Sequence, residues 1–136
     1  MLRHEIKALL VSQLKTICDN VETIFTHPQS RAEAQGEFPY ITCVWRQWTP
    51  ADVNMYGKQT VDIIGIVTGD DNDLAQKIDN LEKKVIEILY KNEKIKNNIL
   101  LINNSNLFEP FGLNAGVYPP FAGFRIEIEI GNVRLT

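Results

Sequence analysis

Cysteine and histidine are scarce in this chain, two of each in 136 residues, and their scarcity removes most of the common chemistries. Cys18 and Cys43 are too few and too far apart for a zinc pattern or a disulfide framework. They read as reduced thiols packed like small hydrophobes. A nucleophilic triad needs a serine or cysteine beside a histidine that a third group holds in place. His4 lies in the first helical pattern and His27 precedes Pro28, and neither belongs to a recognisable catalytic motif. The sequence has no glycine-rich phosphate loop, paired-histidine helix or Cys-x-x-Cys. Long hydrophobic runs are missing as well, since no uninterrupted apolar stretch approaches the roughly 20 residues that a membrane helix needs. The opening MLRHEIKALLVSQLK is broken by Arg3, His4, Glu5 and Lys7, which leaves no apolar signal-peptide region. A cytosolic chain with no membrane partner is therefore expected. An excess of positive charge is also absent: the formal charge is −3 and the sequence pI about 5.4. Direct nucleic-acid readout is not expected from such a field.

What is present is ordinary globular material, with 44% hydrophobic and 23% charged residues. That is enough for residues 1 to 136 to form one domain around a single core. Leu2, Ile6, Leu9, Leu10, Leu14 and Ile17 recur at three- and four-residue steps and predict an amphipathic helix over residues 2 to 18. VETIF, Val21 to Phe25, has the β-branched, alternating character of a strand. Residues 27 to 38 are polar, hold Pro28 and Gly36, and read as an exposed loop. In PYITCVWRQW, Ile41, Cys43 and Trp45 alternate against Tyr40, Thr42, Val44 and Arg46, which suits an inner strand covered in part on both faces. QTVDIIGIVTG resumes the β pattern after the turn residues of Thr49 to Gln59, so the two runs predict a long projecting hairpin. Ile99 to Ile102 read as a short buried strand, and residues 103 to 120 as a long irregular connection. FAGFRIEIEIGNVRL alternates Phe124, Ile126, Ile128 and Ile130 against Arg125, Glu127 and Glu129, the clearest strand in the chain. The expected fold is α+β: a mixed, mostly antiparallel sheet of about four to five strands, with two amphipathic helices packed on one face.

The densest group of carboxylates, Asp70, Asp71 and Asp73, stands between the third strand and a helical pattern marked by Leu74, Ile78, Leu81, Val85, Ile88 and Leu89. Asp70 or Asp71 occupies the N-cap position, and Asp73 adds negative charge near the positive end of the helix dipole. A calcium loop needs a glycine sixth and an acidic residue twelfth. Counted from Asp71 the sixth residue is Gln76, and counted from Asp70 the twelfth is Leu81, so neither register serves. Glu127 and Glu129 share a strand face and read as its solvated side rather than as a catalytic pair. FAGFRIEIEI is superficially similar to the aromatic strand of an RNA-recognition motif. Here, however, Phe124 joins the apolar face, and two glutamates on the other face would repel phosphate. No catalytic residue, cofactor or metal is expected, and the chain does not read as an enzyme.

Aromatic and methionine side chains gather instead around the hairpin, in WRQWTPADVNMYG, and such residues are enriched where proteins dock on one another. Trp45, Trp48, Met55 and Tyr56, with Phe108, Phe111 and Tyr118 of the second long loop, are the candidate subunit-interface residues; the alternative is that Trp45 is core and its neighbours cover it. The order of elements carries a resemblance. An N-terminal amphipathic helix, "VETIF", "FPYITCVW", "QTVDIIGIVTGDD", the helix "NDLAQKIDNLEKKVIEIL" and a final "FRIEIEI" together resemble the tail terminator, or tail completion, family of long-tailed bacteriophages and prophages. The resemblance implies a structural virion protein, assembled in the host cytoplasm and placed at the tail or neck. It implies a hexameric ring of identical subunits that caps the tail tube, ends tube polymerisation and gives the head connector a docking surface. Its partners would be copies of itself, the tail tube protein and the head–tail connector or neck protein. Rings form when a heterologous contact closes under rotation, and the strand Phe124 to Ile130 or the hairpin arm is expected to extend a neighbour's sheet. The alternatives are another neck or head–tail joining protein, or a small metabolite-binding or hydrolytic domain, which would need a closed pocket with convergent polar groups.

Overall fold

The computed structural model describes residues 1–24, 38–51, 55–107 and 121–136. Helix α1 (Arg3–Leu14) leads into strands β1 (Asn20–Ile24), β2 (Tyr40–Pro50) and β3 (Tyr56–Thr68). Helix α2 (Asp71–Lys91) and the single turn α3 (Glu93–Lys96) follow, then β4 (Ile99–Leu107) and β5 (Phe121–Arg134). The five strands form one sheet in the order β1-β2-β3-β5-β4. β1 runs parallel to β2, and every other neighbouring pair is antiparallel. The expected α+β class and strand count hold.

The apolar stripes explain where the helices sit. Ile6, Leu10 and Leu14 of α1 and Leu74, Ile78, Leu81, Val85 and Leu89 of α2 are buried against one face of the sheet. That face supplies Ile41, Cys43 and Trp45 from β2, Val61, Ile63 and Val67 from β3, and Phe124, Ile126, Ile128 and Ile130 from β5. The alternation read from each strand is the one observed. α1 lies by β1, and α2 spans β3 and β5. β3 is also buried on its other side, where Ile64 and Ile66 form a second, smaller cluster with Phe38 and Val44.

The element ends differ from expectation for local reasons. α1 stops at Leu14 rather than residue 18, and the Thr16 hydroxyl donates to the Gln13 carbonyl at 2.6 Å as the chain turns toward β1. Ile17 leaves the helix yet still packs on the core. Asp70 is the N-cap of α2, as expected, but its side chain makes no capping hydrogen bond. Its backbone carbonyl instead accepts from the N–H groups of Asp73 and Leu74, at 2.9 and 3.1 Å. Negative charge at this end is favoured by the positive end of the helix dipole. α3 is too short to show as a periodicity; Asn92 caps it, its Oδ1 accepting from Ile95 N at 3.2 Å. β4 runs on to Leu107, so residues 103–107 are strand rather than irregular connection, because their backbone pairs with β5 from Glu127 to Gly123. The loop expected over 27–38, apart from Phe38, and the expected connection over 108–120 lie outside the described residues.

The hairpin of β2 and β3 is buttressed on one side only. β5 pairs with β3 along its whole length, from Tyr56↔Arg134 to Thr68↔Phe121. Among the described residues β1 covers β2 from Tyr40 to Val44, and β4 reaches β5 no further than Ile130. The hairpin thus extends past both outer strands but not past β5. A bulge between Trp45 and Trp48 places Arg46 and Gln47 opposite the single residue Thr60, between Val61 and Gln59. In a regular strand two residues three apart point to opposite faces. The extra residue returns Trp48 to the helix-side face with Trp45.

Side-chain packing leaves no room at Gly65, in the middle of β3. A Cβ there would sit 2.4 Å from the Phe124 ring and 3.2 Å from Leu81. Gly65→Ala should destabilise the fold by about 1–3 kcal/mol through overpacking, and adding Phe124→Leu should restore part of the loss. Denaturant unfolding of the single and double variants measures both; additive losses would show that the two residues do not compete for the same space.

Candidate functional site

Charge on the helix-free face is organised into a lattice. Antiparallel register sets Asp62 between Val44 and Glu127 and pairs Ile64 with Arg125. Arg46 Nη1 lies 2.9 Å from Glu127 and 3.5 Å from Asp62, while Arg125 lies 3.2 Å from Glu127 and 3.7 Å from Asp62. Lys58 stands 3.6 Å from Glu129 at the next level up. Tyr40, buried, donates its hydroxyl to Glu22 at the β1 side. The glutamates expected to be a solvated strand face are therefore half-buried and ion-paired, with side chains 22% and 24% exposed. Arg46 and Arg125 balance Asp62 and Glu127, and Lys58 balances Glu129, so these groups pair locally rather than form a charged funnel for an ionic ligand.

Asp62 is the most buried member, at 7% exposure. Burial raises its carboxyl above the ordinary 3.8; Arg125 and Arg46 pull it back, and Glu127 pushes it further up. A like-charged neighbour and desolvation both favour the protonated acid.

An open cleft of about 380 Å³ lies on the opposite side, between the end of α1, the start of β2 and α2. Ile17, Phe38, Val67 and Leu81 give it apolar walls, and Lys77, Asn80 and Lys84 are its polar groups on α2. The Lys77 ammonium already donates to the Thr68 carbonyl at 2.9 Å. Two amines and an amide with no carboxylate or histidine among them make no acid–base pair. Among the described residues no three His, Cys, Asp or Glu side chains come together so as to hold a metal ion. Cys43 is fully buried, which pushes its thiol up to about 12, and burial also raises Cys18. Neither thiol is an activated nucleophile. Among the described residues no helix is long and apolar enough to cross a membrane.

The expected interface residues separate. Trp45 is 2% exposed and belongs to the core, so it has no surface to offer a neighbour. Trp48 packs at the edge of the core, its indole N–H donating to the Val133 carbonyl at 3.0 Å. Tyr56 is half-buried with the Arg134 guanidinium 5.4 Å from its ring centroid. Met55, 58% exposed, remains available at the hairpin end. Phe108, Phe111 and Tyr118 lie outside the described residues.

The larger exposed apolar surface was not anticipated. Leu100 is 61% and Leu101 43% exposed on β4, and Tyr90 is 52% exposed near the end of α2. The run from Ile99 to Ile102 reads as a buried strand, but β4 is the last strand of the sheet. Only Ile99 and Ile102 pack on the core. Strand Phe124 to Ile130, expected to extend a neighbour's sheet, cannot do so, because β3 and β4 already pair with both of its sides. Among the described residues the strand edges left for such pairing are β4, β1 and β2 beyond Val44.

No family model matches the chain, and no curated protein matches it.

The titration of Asp62 tests the lattice. The raised value means that the native chain holds a proton the unfolded chain releases, so this group's contribution to stability is present below 3.8 and declines as pH rises through the raised value. Carbon-13 carboxyl NMR should find Asp62 above 3.8, moved further up by Arg125→Gln and down by Glu127→Gln. A wild-type value at or below 3.8 would mean that the ion pairs outweigh burial.

Proposed function

We propose that this protein is a structural subunit of a phage or prophage tail, a tail-terminator-like ring that caps the tail tube, stops its polymerisation and presents a surface to the head connector. The observation that carries this reading is the outer edge of the sheet. β4, ILLINNSNL, is nine residues long and contains no charged residue and no proline. Its one irregularity is at Leu100, and Leu100 and Leu101 are exposed along it. Monomeric proteins ordinarily blunt such an edge with lysine, proline or a short strand. An outer strand without charge or proline, with two leucines exposed along it, suits a chain that is covered by another copy.

The remainder of the molecule is consistent with that role. The order of helix, three strands, helix and two strands is the one on which the resemblance rests. The helix-free face is charge-balanced, and the cleft between α1 and α2 has no opposed acid and base. What this body offers is shape and two unlike edges.

Native mass spectrometry and negative-stain microscopy of the purified chain should show closed rings of six subunits, and the same rings should bind the open ends of isolated tail tubes. Monomer alone at high concentration, without association with tubes, would overturn the reading. Binding to the connector but never to tube ends would move the protein to the neck.

A further inference from the structure

We propose that the open cleft between the end of α1, the start of β2 and α2 binds a small amphipathic anion, an apolar body that carries one carboxylate. The proposal goes beyond the ring reading and does not depend on it.

Three side chains from separate elements make an apolar floor. Val67 of β3 and Leu81 of α2 are 3% and 6% exposed, and Ile17, just past α1, packs on the same core. The core holds these positions, so the floor is formed before any ligand arrives. At about 380 Å³ the cleft lies within the size range of ordinary small-molecule sites. Its open side lets a charged head stay at the rim while the apolar part goes in.

The rim decides the sign of the ligand. Lys77, Asn80 and Lys84 stand three and four residues apart and so form one stripe along α2, where all three are exposed. The Lys77 ammonium donates to the Thr68 carbonyl at 2.9 Å. An ammonium has three N–H donors, so this tie to a neutral acceptor fixes the nitrogen without cancelling its charge. Lys84 is not tied in this way. Its neighbour Lys83 is the lysine that meets Glu87, at 3.9 Å, and among the described residues no carboxylate pairs with Lys77 or Lys84. Asp73, one turn before Lys77, does not line the cleft. The Asn80 amide, between the two lysines, adds a further N–H donor for an oxygen held at the rim. A carboxylate there gains charge-assisted hydrogen bonds. An amine would meet like charge, and an alcohol would gain the floor but not the rim.

Phenylbutyrate is a probe with both parts, and phenylbutanol and phenylbutylamine keep its apolar body while removing or reversing its charge. Methyl NMR of the full chain should show saturable shifts at Ile17, Val67 and Leu81 with millimolar phenylbutyrate. Phenylbutanol should bind about threefold or more weakly, and the amine more weakly still. Lys84→Gln and Asn80→Asp change exposed side chains of α2, and circular dichroism checks that each variant folds. Each should weaken phenylbutyrate about threefold or more while leaving phenylbutanol unchanged, and Lys84→Arg should bind like the wild type. Equal affinity for acid, alcohol and amine would overturn the proposal. So would shifts that never saturate or that fall away from the cleft, and so would a Lys84→Gln variant that weakens acid and alcohol alike. Shifts produced only by an acidic peptide with one central phenylalanine would overturn it in favour of a protein partner.

Discussion

Strand β3 is the constraint from which the rest of the molecule is built. It hydrogen-bonds to β2 on one side and β5 on the other along nearly its whole length, and residues 61–67 are buried on both faces. A strand covered on both faces loses its alternation and reads as a continuous apolar run, as IIGIV does. Its helix-side residues hold both helices, and its other side gives Ile64 and Ile66 to the second cluster. Gly65 is where the two demands meet, because the Phe124 ring takes the space a side chain would fill. With β3 in place, β2 and β5 follow by pairing, and the outer strands are left as edges.

The departures from regularity cluster at one level of that sheet. Both neighbours of β3 shift register near Gln59, between Trp45 and Trp48 on β2 and between Ile130 and Val133 on β5. Bulges increase local twist and re-aim side chains. Here they turn Trp48 inward over Gly57 and bring its indole to the Val133 carbonyl. Met1 and Leu2 then close the same end, the Met1 carbonyl accepting from Arg134 N at 3.0 Å. The hairpin end is therefore a braced platform, with Met55 left as its exposed apolar side chain.

The distribution of polar groups follows a common logic. The arginines and carboxylates of the helix-free face pair with one another in place, and on the helix side Lys83 stands 3.9 Å from Glu87 and Glu82 accepts from Asn104. Exposed pairs of this kind contribute little stability each, but they leave a surface with its charges matched locally. The feature that this matching does not account for is the pair of leucines, Leu100 and Leu101, exposed on the outer strand.

The sequence by itself determined the element order, the α+β class and nearly all of the core, because helical spacing from Leu74 to Leu89 and alternation from Phe124 to Ile130 are local properties of the chain. It also determined the absence of a recognisable catalytic motif, which depends on residue types alone. Only the tertiary structure decided which strand became an edge, and so turned Leu100 and Leu101 outward although their run looks like that of a buried strand. The same holds for Trp45 and Trp48: three residues apart, they share a face because of a bulge set by pairing with β3. Asp62, Arg46, Arg125 and Glu127 come from three strands and meet through register alone. Strand neighbours and register arise from contacts between distant segments, and no local spacing encodes them.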